Sequence, residues 1–544
     1  MAISPEPDFN YANYTMPMDA HNQIWQNYVF PSDWQNPPPQ AIYDLVVIGA
    51  GPAGLVIAAG AAGLDIGLKI ALVEKNALGG DCLNVGCIPS KTLLHESVRV
   101  LNRNHQAKIT AHDQAVMARV RQVRAEISVH DSAQRFKQMG IDVFLGEGAF
   151  QDSHTLKVTR VLHQTSTAVP EQNSLNQTQL LRFKKAVIAT GTRPSLPDIN
   201  GLDRVRYFTN ETIFNLETLP EQLIIIGGGP IGCELAQAWQ NLGTQVYLLQ
   251  RGARLLPQED PEAAAIISAN LTAIGVKIHC QCQIDRLEPI VTPANPYGVM
   301  VHYRNYQGAP QELSASHLLI ATGRIPNLES LELAAAGLRF TESANGTLNL
   351  WTNEYLQTNQ KHIFAAGDVV LPQRFTHAAD AAARLVIKNA LFAPWGLGLG
   401  KWSDLVIPHA IYTQPEIAQV GHTTATATTA GLNFATITIN LQDTDRGRTD
   451  GITEGFVKIH YQLKADQTPT DQILGATIVG DHASAMINEI TCAMTHKLGL
   501  NDLAQVIHPY PSLGEAIRKA ADTYRRQLLN PRTRRILRWL SWLS

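Results

Sequence analysis

The sequence predicts an α/β fold built on two Rossmann-type βαβ units, because a strand, a glycine turn and a helix follow one another twice along the chain. Leu45–Ile48 reads as a β-branched strand, Gly49-Ala50-Gly51-Pro52-Ala53-Gly54 as the turn, and the alanine-rich run after it as a helix. Leu223–Ile226, Gly227-Gly228-Gly229-Pro230-Ile231-Gly232 and Glu234–Leu242 repeat the order. A third observation is length: 544 residues exceed what one hydrophobic core organises, and about two to four domains are expected.

Composition excludes several classes. With 45% apolar, 17% charged and 7% aromatic residues, the chain reads as an ordinary globular protein. A net charge of -3 supplies no electrostatic footprint for nucleic acid. Six cysteines are too few for a disulfide scaffold, and the N-terminus lacks a basic start followed by an apolar core, so the cytoplasm is the expected compartment. The uncharged run Leu45–Leu64 is long enough for a bilayer, but its glycines and its division into strand, turn and helix fit a buried βα unit.

In the first unit Gly49, Gly51 and Gly54 permit a tight turn, backbone approach to a pyrophosphate and close helix packing, with Pro52 and Ala53 between them. The next strand, Ile70–Val73, ends in Glu74, placed for a ribose hydroxyl. In the second unit Gly227, Gly229, Ile231 and Gly232 form the turn, but the next strand ends in Gln250, followed by Arg251 and Arg254. Loss of the acid and gain of arginines suit the 2′-phosphate of NADPH. NADH stays the alternative, since the third glycine is Gly232 rather than alanine.

GGDCLNVGCIPSK, residues 79–91, places Cys82 and Cys87 directly after the first unit and before an amphipathic helix. A helix N-terminus stabilises a thiolate and lowers its pKa, so the pair reads as redox cysteines. A structural zinc fails on counting, because Cys233, Cys280, Cys282 and Cys492 are scattered, and no resident metal is expected. Cys280 and Cys282 alternate on an expected strand, Val276–Ile284, and read as ordinary strand residues.

This stretch is similar to the active-site signature of the flavin-dependent pyridine nucleotide–disulfide oxidoreductases, which include dihydrolipoamide dehydrogenase, glutathione reductase and mercuric reductase. Ala189-Thr190-Gly191, Ala321-Thr322-Gly323-Arg324 and Ile363-Phe364-Ala365-Ala366-Gly367-Asp368 resemble the later markers of that family, from about Ile42 to about Arg525. The resemblance implies FAD in the first fold, with Asp368 near its ribityl and phosphates, and a nicotinamide cofactor in the second, with Lys75, Gly80, Asp81, Thr190, Gly191, Gly323, Arg324, Gly367, His377 and Ala378 among the cofactor-binding residues. It implies Lys91, paired with Glu234, beside the flavin N5. It also implies that hydride passes from NADPH to the flavin, that electrons reach Cys87, the sulfur nearer the ring, and that opening of a Cys82–Cys87 disulfide frees Cys82 to attack substrate.

The C-terminal third resembles the family's α+β dimerisation domain, with IPHAIYTQPEIAQVG (407–421) at its start and IVGDHASAMINEI (478–490) as its central helix. A homodimer is implied, the partner subunit completing each active site through the segment His508–Glu515. Disulfide-reducing members carry a histidine five residues before Glu515, where this chain has Tyr510, a poor base at neutral pH. His508 is the nearby substitute, with capping or packing as its other reading. Tyrosine here resembles mercuric reductase, whose metal–thiolate exchange needs no histidine base; the vicinal cysteine pair those enzymes carry near the C-terminus is not in RTRRILRWLSWLS, and residues 1–40 hold no cysteine. Pro230 stands where many members carry a mobile aromatic over the flavin, which favours diaphorase chemistry with quinones, dyes or oxygen.

The expected organisation is an N-terminal arm over 1–40, an FAD-binding domain over 41–195 resumed at 326–405, an NAD(P)H-binding domain over 196–325, a dimerisation domain over 406–525 and a basic amphipathic tail over 526–544. In the tail Ile536, Leu537, Leu540 and Leu543 form a stripe edged by Trp539 and Trp542, with Arg532, Arg535 and Arg538 largely opposite, a pattern suited to an anionic membrane surface or to packing on the dimer itself. The function expected is NADPH-driven reduction of a metal ion or disulfide through FAD and the cysteine pair. Direct diaphorase activity, dihydrolipoamide dehydrogenase-like activity and a redox-responsive binding protein are the alternatives.

Overall fold

A computed structural model describes residues 16–103, 113–160, 178–292, 295–393, 397–529 and 531–543. The chain divides into two compact units, one of residues 1–227, 238–247 and 283–404, the other of 228–237, 248–282 and 405–544.

The first unit is built on a five-stranded sheet in the order Ile363–Ala365, Ala186–Ile188, Leu45–Ile48, Ile70–Glu74 and Asp142–Leu145. All neighbours run parallel, with Val46 opposite Ala71 on one side and Ala186 on the other. Leu45–Ile48 is buried at every residue, which is why it carries no polar alternation. The helix Pro52–Ala62 packs against Thr376–Leu391 so closely that a Cβ on Gly60 would lie 2.6 Å from Ile387. The second glycine turn follows the strand Gln222–Ile226, which pairs in parallel with His317–Ile320, Leu223 opposite His317.

The second unit carries a five-stranded antiparallel sheet ordered His409–Ile411, Glu416–Gly421, Pro469–Gly480, Phe456–Leu463, Phe434–Asn440. Helices Ala483–Thr495 and Glu515–Gln527 close its core through Ile487, Ile490, Ile517 and Tyr524. Lys458, almost fully buried, reaches Asp260 and Glu262 at 3.0 Å each, and Asp260 also caps the helix Pro261–Ala273.

Three expectations meet the structure here. The described part of the arm is ordered: Ala20–Val29 is a helix capped by Asp19, while residues 1–15 lie outside the described residues. The expected strand Val276–Ile284 is broken, because Gln281 adopts a left-handed φ of 56° and splits it into Lys277–Cys280 and Gln283–Pro289. The tail is a helix, Pro531–Leu543, as its pattern predicts. No helix among the described residues is long and apolar enough to cross a membrane.

Candidate active site

Both glycine turns are shaped by backbone that approaches too closely for any side chain. A Cβ on Gly49, at φ +100°, would lie 2.4 Å from the Ala189 carbonyl oxygen, and one on Gly227, at φ +117°, 2.2 Å from that of Ala321. A Cβ on Gly54 would meet the Gly49 carbonyl oxygen at 1.8 Å. The middle glycines differ: a Cβ on Gly51 would meet only the Gly80 Cα, at 3.8 Å, and one on Gly229 nothing within 4 Å. Gly51 caps the helix Pro52–Ala62 without a side chain, so the first amides of that helix face an open, uncapped end. This cradle fits the pyrophosphate of a dinucleotide.

At the strand end, Glu74 accepts hydrogen bonds from the Ala50 amide at 2.6 Å and the Asn76 amide at 2.7 Å, and burial raises its carboxyl pKa. Gln250 does the corresponding work in the second turn, its Oε1 accepting the Gly228 amide at 3.0 Å. Arg254 donates to the carbonyls of Leu256, Pro257 and Glu259 at 2.7, 2.8 and 3.0 Å, which makes it a loop clamp. Arg251 is exposed beside it.

Cys82 sits on the short helix Gly80–Asn84 and Cys87 opens the helix Cys87–Arg103. Both are unbridged, and Cys87 Sγ lies 3.4 Å from Thr376 Oγ1. The lowered pKa expected at a helix terminus is not found for Cys82. Its hydrogen bond to Cys87 pushes the thiol up, burial and charge on Cys87 and Asp131 add to this, and Thr376 opposes it. Two neighbouring thiols that share a proton do not both ionise readily, and Cys82 is the one held protonated.

The segment between the cysteines is tied from several sides. Arg324 is ion-paired to Asp81 and donates to Thr192 Oγ1 at 2.7 Å, the Thr192 carbonyl at 2.8 Å and Asn210 Oδ1 at 3.3 Å. Asn210 donates to the Val85 carbonyl at 3.2 Å. Burial raises the pKa of Asp368, with the charge of Asp81 adding to it, against the lowering effect of Arg324 and Arg374. Arg324, one of the expected cofactor-binding residues, stands with Asp81 beside the redox loop. Thr190 donates to the Asn327 carbonyl at 2.7 Å, Gly191 and Gly367 have φ of 67° and 80°, Lys75 pairs with Glu147 at 3.3 Å, and His377 stacks on Phe375 with centroids 5.5 Å apart, one residue before buried Ala378. Lys91 is half-buried on the redox helix of the first unit, and Glu234, in the second, accepts the Tyr412 amide at 2.9 Å.

In the C-terminal segment, His508 is held by Glu489 at 3.0 Å through Nε2 and faces the Val506 carbonyl at 3.2 Å through Nδ1. Tyr510 is 71% exposed, and its hydroxyl donates to Asp445 at 3.0 Å, which raises its pKa. Glu515 is buried, 3.4 Å from Arg518. Reading by sequence missed Glu489, Asn210, Thr192 and Thr376. Their partners His508, Val85, Arg324 and Cys87 lie 19, 125, 132 and 289 residues away, and no local pattern marks such a pair.

Residues 43–383 match the pyridine nucleotide-disulphide oxidoreductase family and residues 407–521 its dimerisation domain. The chain is 32% identical over 493 residues to a mercuric reductase of Staphylococcus aureus, covering 89% of this chain and 82% of that protein. It is 33% identical over 487 residues to a dihydrolipoyl dehydrogenase of Bacillus subtilis, covering 88% and 96%. Among solved structures it superposes on the copper(II) complex of RclA, an HOCl-induced flavoprotein disulfide reductase from Escherichia coli, with a TM-score of 0.72, 27% identity and 89% and 100% of the two chains covered. Two α/β nucleotide folds, the cysteine pair that follows the first and the antiparallel C-terminal sheet agree with these matches: the chain belongs to the pyridine nucleotide-disulphide oxidoreductase family, a class of FAD-dependent enzymes that use a pyridine nucleotide and carry a domain for forming homodimers.

Proposed function

We propose that this enzyme uses NADPH to open a Cys82–Cys87 disulfide and passes the electron pair to a thiophilic metal ion. When bound, FAD would supply the two-electron chemistry that links a nicotinamide hydride to the sulfurs. Gly49, Gly51 and Gly54 give its pyrophosphate room, with Glu74, Asp81, Thr190, Gly191, Gly367, Asp368 and Ala378 around the remainder. Cys87, beside Thr376, would receive the electrons and Cys82 would bind the acceptor, with Lys91 on the same helix as Cys87.

One observation carries the choice of acceptor. Reducing an organic disulfide calls for a base near the interchange thiol, yet both ring nitrogens of His508 face protein oxygens and Tyr510 is held by Asp445. Exchange of a metal ion onto a thiolate needs no such base. The metals in the names of a mercuric reductase and of a copper(II) complex among the similar proteins support the same class. The test compares NADPH oxidation with mercury(II), copper(II), lipoamide and glutathione disulfide as acceptors. Metal-dependent turnover that needs both cysteines supports the reading; turnover with lipoamide alone contradicts it. Tyr510→His sharpens the result, since a large rise in lipoamide turnover would show that the missing base alone blocks that activity.

Preference for NADPH rests on Arg251, with Arg254 shaping the loop beneath it. Completion of the site by a partner subunit is supported by the dimerisation-domain match over residues 407–521 and by the exposure of Ile507 and Tyr510 in the C-terminal segment. The domain boundaries given above stand as the organisation proposed, in the cytoplasm. A diaphorase is the second reading, favoured by Pro230, which opens its helix at an exposed position. On the tail, Ile536, Leu537, Trp539, Leu540, Trp542 and Leu543 are all exposed, at 49–82%, and residues 528–544 hold no acid, which supports contact with an anionic lipid surface. Loss of co-sedimentation with phosphatidylserine vesicles on deleting residues 527–544 is expected; unchanged binding contradicts it.

A further inference from the structure

Asn84 lies between the two redox cysteines and is buried, and its hydrogen bonds connect the redox loop to the N-terminal arm. Its side-chain nitrogen donates to the carbonyls of Gly80, Leu78 and Ala77 at 2.8, 3.0 and 3.3 Å, closing the Gly80–Asn84 helix onto the segment before it. Its side-chain oxygen accepts from the indole nitrogen of Trp25 at 2.7 Å. Its backbone carbonyl accepts from Arg124 at 3.0 Å.

Trp25 is on the arm helix Ala20–Val29, and Arg124 on the helix Asp113–Ser128. The Arg124 guanidinium is 4.6 Å from the centre of the Trp25 ring and donates to Asn22 on the same arm helix at 2.6 Å. Asn22 and Arg124 are 0% and 2% exposed. Arg121 pairs with Asp19, the cap of the arm helix, at 2.6 Å, and the Leu78 amide donates to the Val29 carbonyl at 3.0 Å. The arm therefore reaches the redox loop through a buried polar chain, Asn22–Arg124–Asn84 and Trp25–Asn84.

We propose that the arm helix is a positioning element for the redox pair: Trp25 and Arg124, by fixing Asn84, set the balance between the Cys82–Cys87 dithiol and its disulfide. Asn84 stands between the two sulfurs, so any loop movement needed to close the disulfide would work against the hydrogen bonds that the arm makes to it. The arm thus favours the dithiol, the form that binds acceptor. This rests on the redox role of the pair given above.

The test equilibrates the full-length, FAD-loaded enzyme anaerobically in glutathione buffers of graded composition. Two glutathione thiols reduce the disulfide, giving the protein dithiol and one glutathione disulfide. Acid quenching, alkylation and mass measurement of the Cys82 and Cys87 peptides then give the exchange constant. Trp25→Phe keeps a ring beneath Arg124 and removes one donor; Arg124→Lys keeps a cation and removes the fork. Trp34→Phe, which frees the Val143 carbonyl from a 3.1 Å bond elsewhere on the arm, is the control.

The expected result is a shift of about fivefold toward the disulfide in Trp25→Phe, the equivalent of one hydrogen bond, a shift of the same sign in Arg124→Lys, and a constant in Trp34→Phe within threefold of the parent. A threefold or larger shift toward the disulfide in the first variant, or in Arg124→Lys should the first not fold, with the control unmoved supports the coupling. Smaller changes, a shift toward the dithiol, or an equal change in the control overturn it. A parent enzyme whose two cysteines never interchange would instead overturn the redox reading on which it rests.

Discussion

The two glycine turns are the same device with one charge removed. Glu74 and Gln250 occupy the same place at a strand end, and each accepts a turn amide, from Ala50 at 2.6 Å and from Gly228 at 3.0 Å. Glutamine keeps the carbonyl-like oxygen that clamps the turn and gives up the carboxylate. The clamp is therefore independent of charge, and the charge is what the second site discards. A buried carboxylate beside a 2′-phosphate would be repulsive, whereas a neutral amide next to Arg251 is not.

Substitutions that break the turns have the largest expected effect. Gly49→Ala and Gly227→Ala each force a side chain into left-handed backbone and onto a carbonyl, at a cost of about 3 kcal/mol or more. Gly49→Ala should lose bound FAD, read from flavin absorbance per protein, while Gly227→Ala should keep FAD and lose NADPH binding. Loss of the same cofactor in both would break the distinction between the sites.

Exchanging the strand-end residues sharpens it. Glu74→Gln should keep the turn and weaken FAD by about tenfold, because a charged acceptor is replaced by a neutral one. Gln250→Glu should weaken NADPH by about tenfold or more and spare NADH, measured by anaerobic titration of each. Next comes Arg251→Ala, for which a loss of about tenfold in NADPH over NADH preference is expected. Arg254→Ala should leave that preference alone and lower stability by about 1–2 kcal/mol, seen as a lower Tm, since three carbonyls lose their donor.

Much of this was readable before any coordinates, for a physical reason. A glycine turn needs residues without a Cβ at fixed spacing, a buried parallel strand needs an unbroken apolar run, and an amphipathic tail shows its period directly; all three are local. The arginines show where local reading stops. Arg251 and Arg254 look alike in sequence, and only the carbonyls converging on Arg254 separate them. Glu489 lies 19 residues from His508, and Arg124 lies 40 from Asn84, so their pairing is decided by how helices pack. The Cys82 thiol is a further case: a helix terminus argues for a lowered pKa, but a sulfur neighbour brought within hydrogen-bond reach by the fold raises it.

The smallest effect expected is on the tail. Removing residues 531–543, whose side chains are mostly exposed, should change the Tm by what about 0.5 kcal/mol produces, leaving FAD and NADPH binding unaltered.

The most direct test of the central claim is an anaerobic NADPH titration of the FAD-loaded enzyme, followed by absorbance, alongside Cys82→Ser and Cys87→Ser. The account predicts a long-wavelength band at two-electron reduction that Cys87→Ser removes. Simple bleaching of the flavin in all three proteins, with no such band, would contradict it by placing the cysteine pair off the electron path.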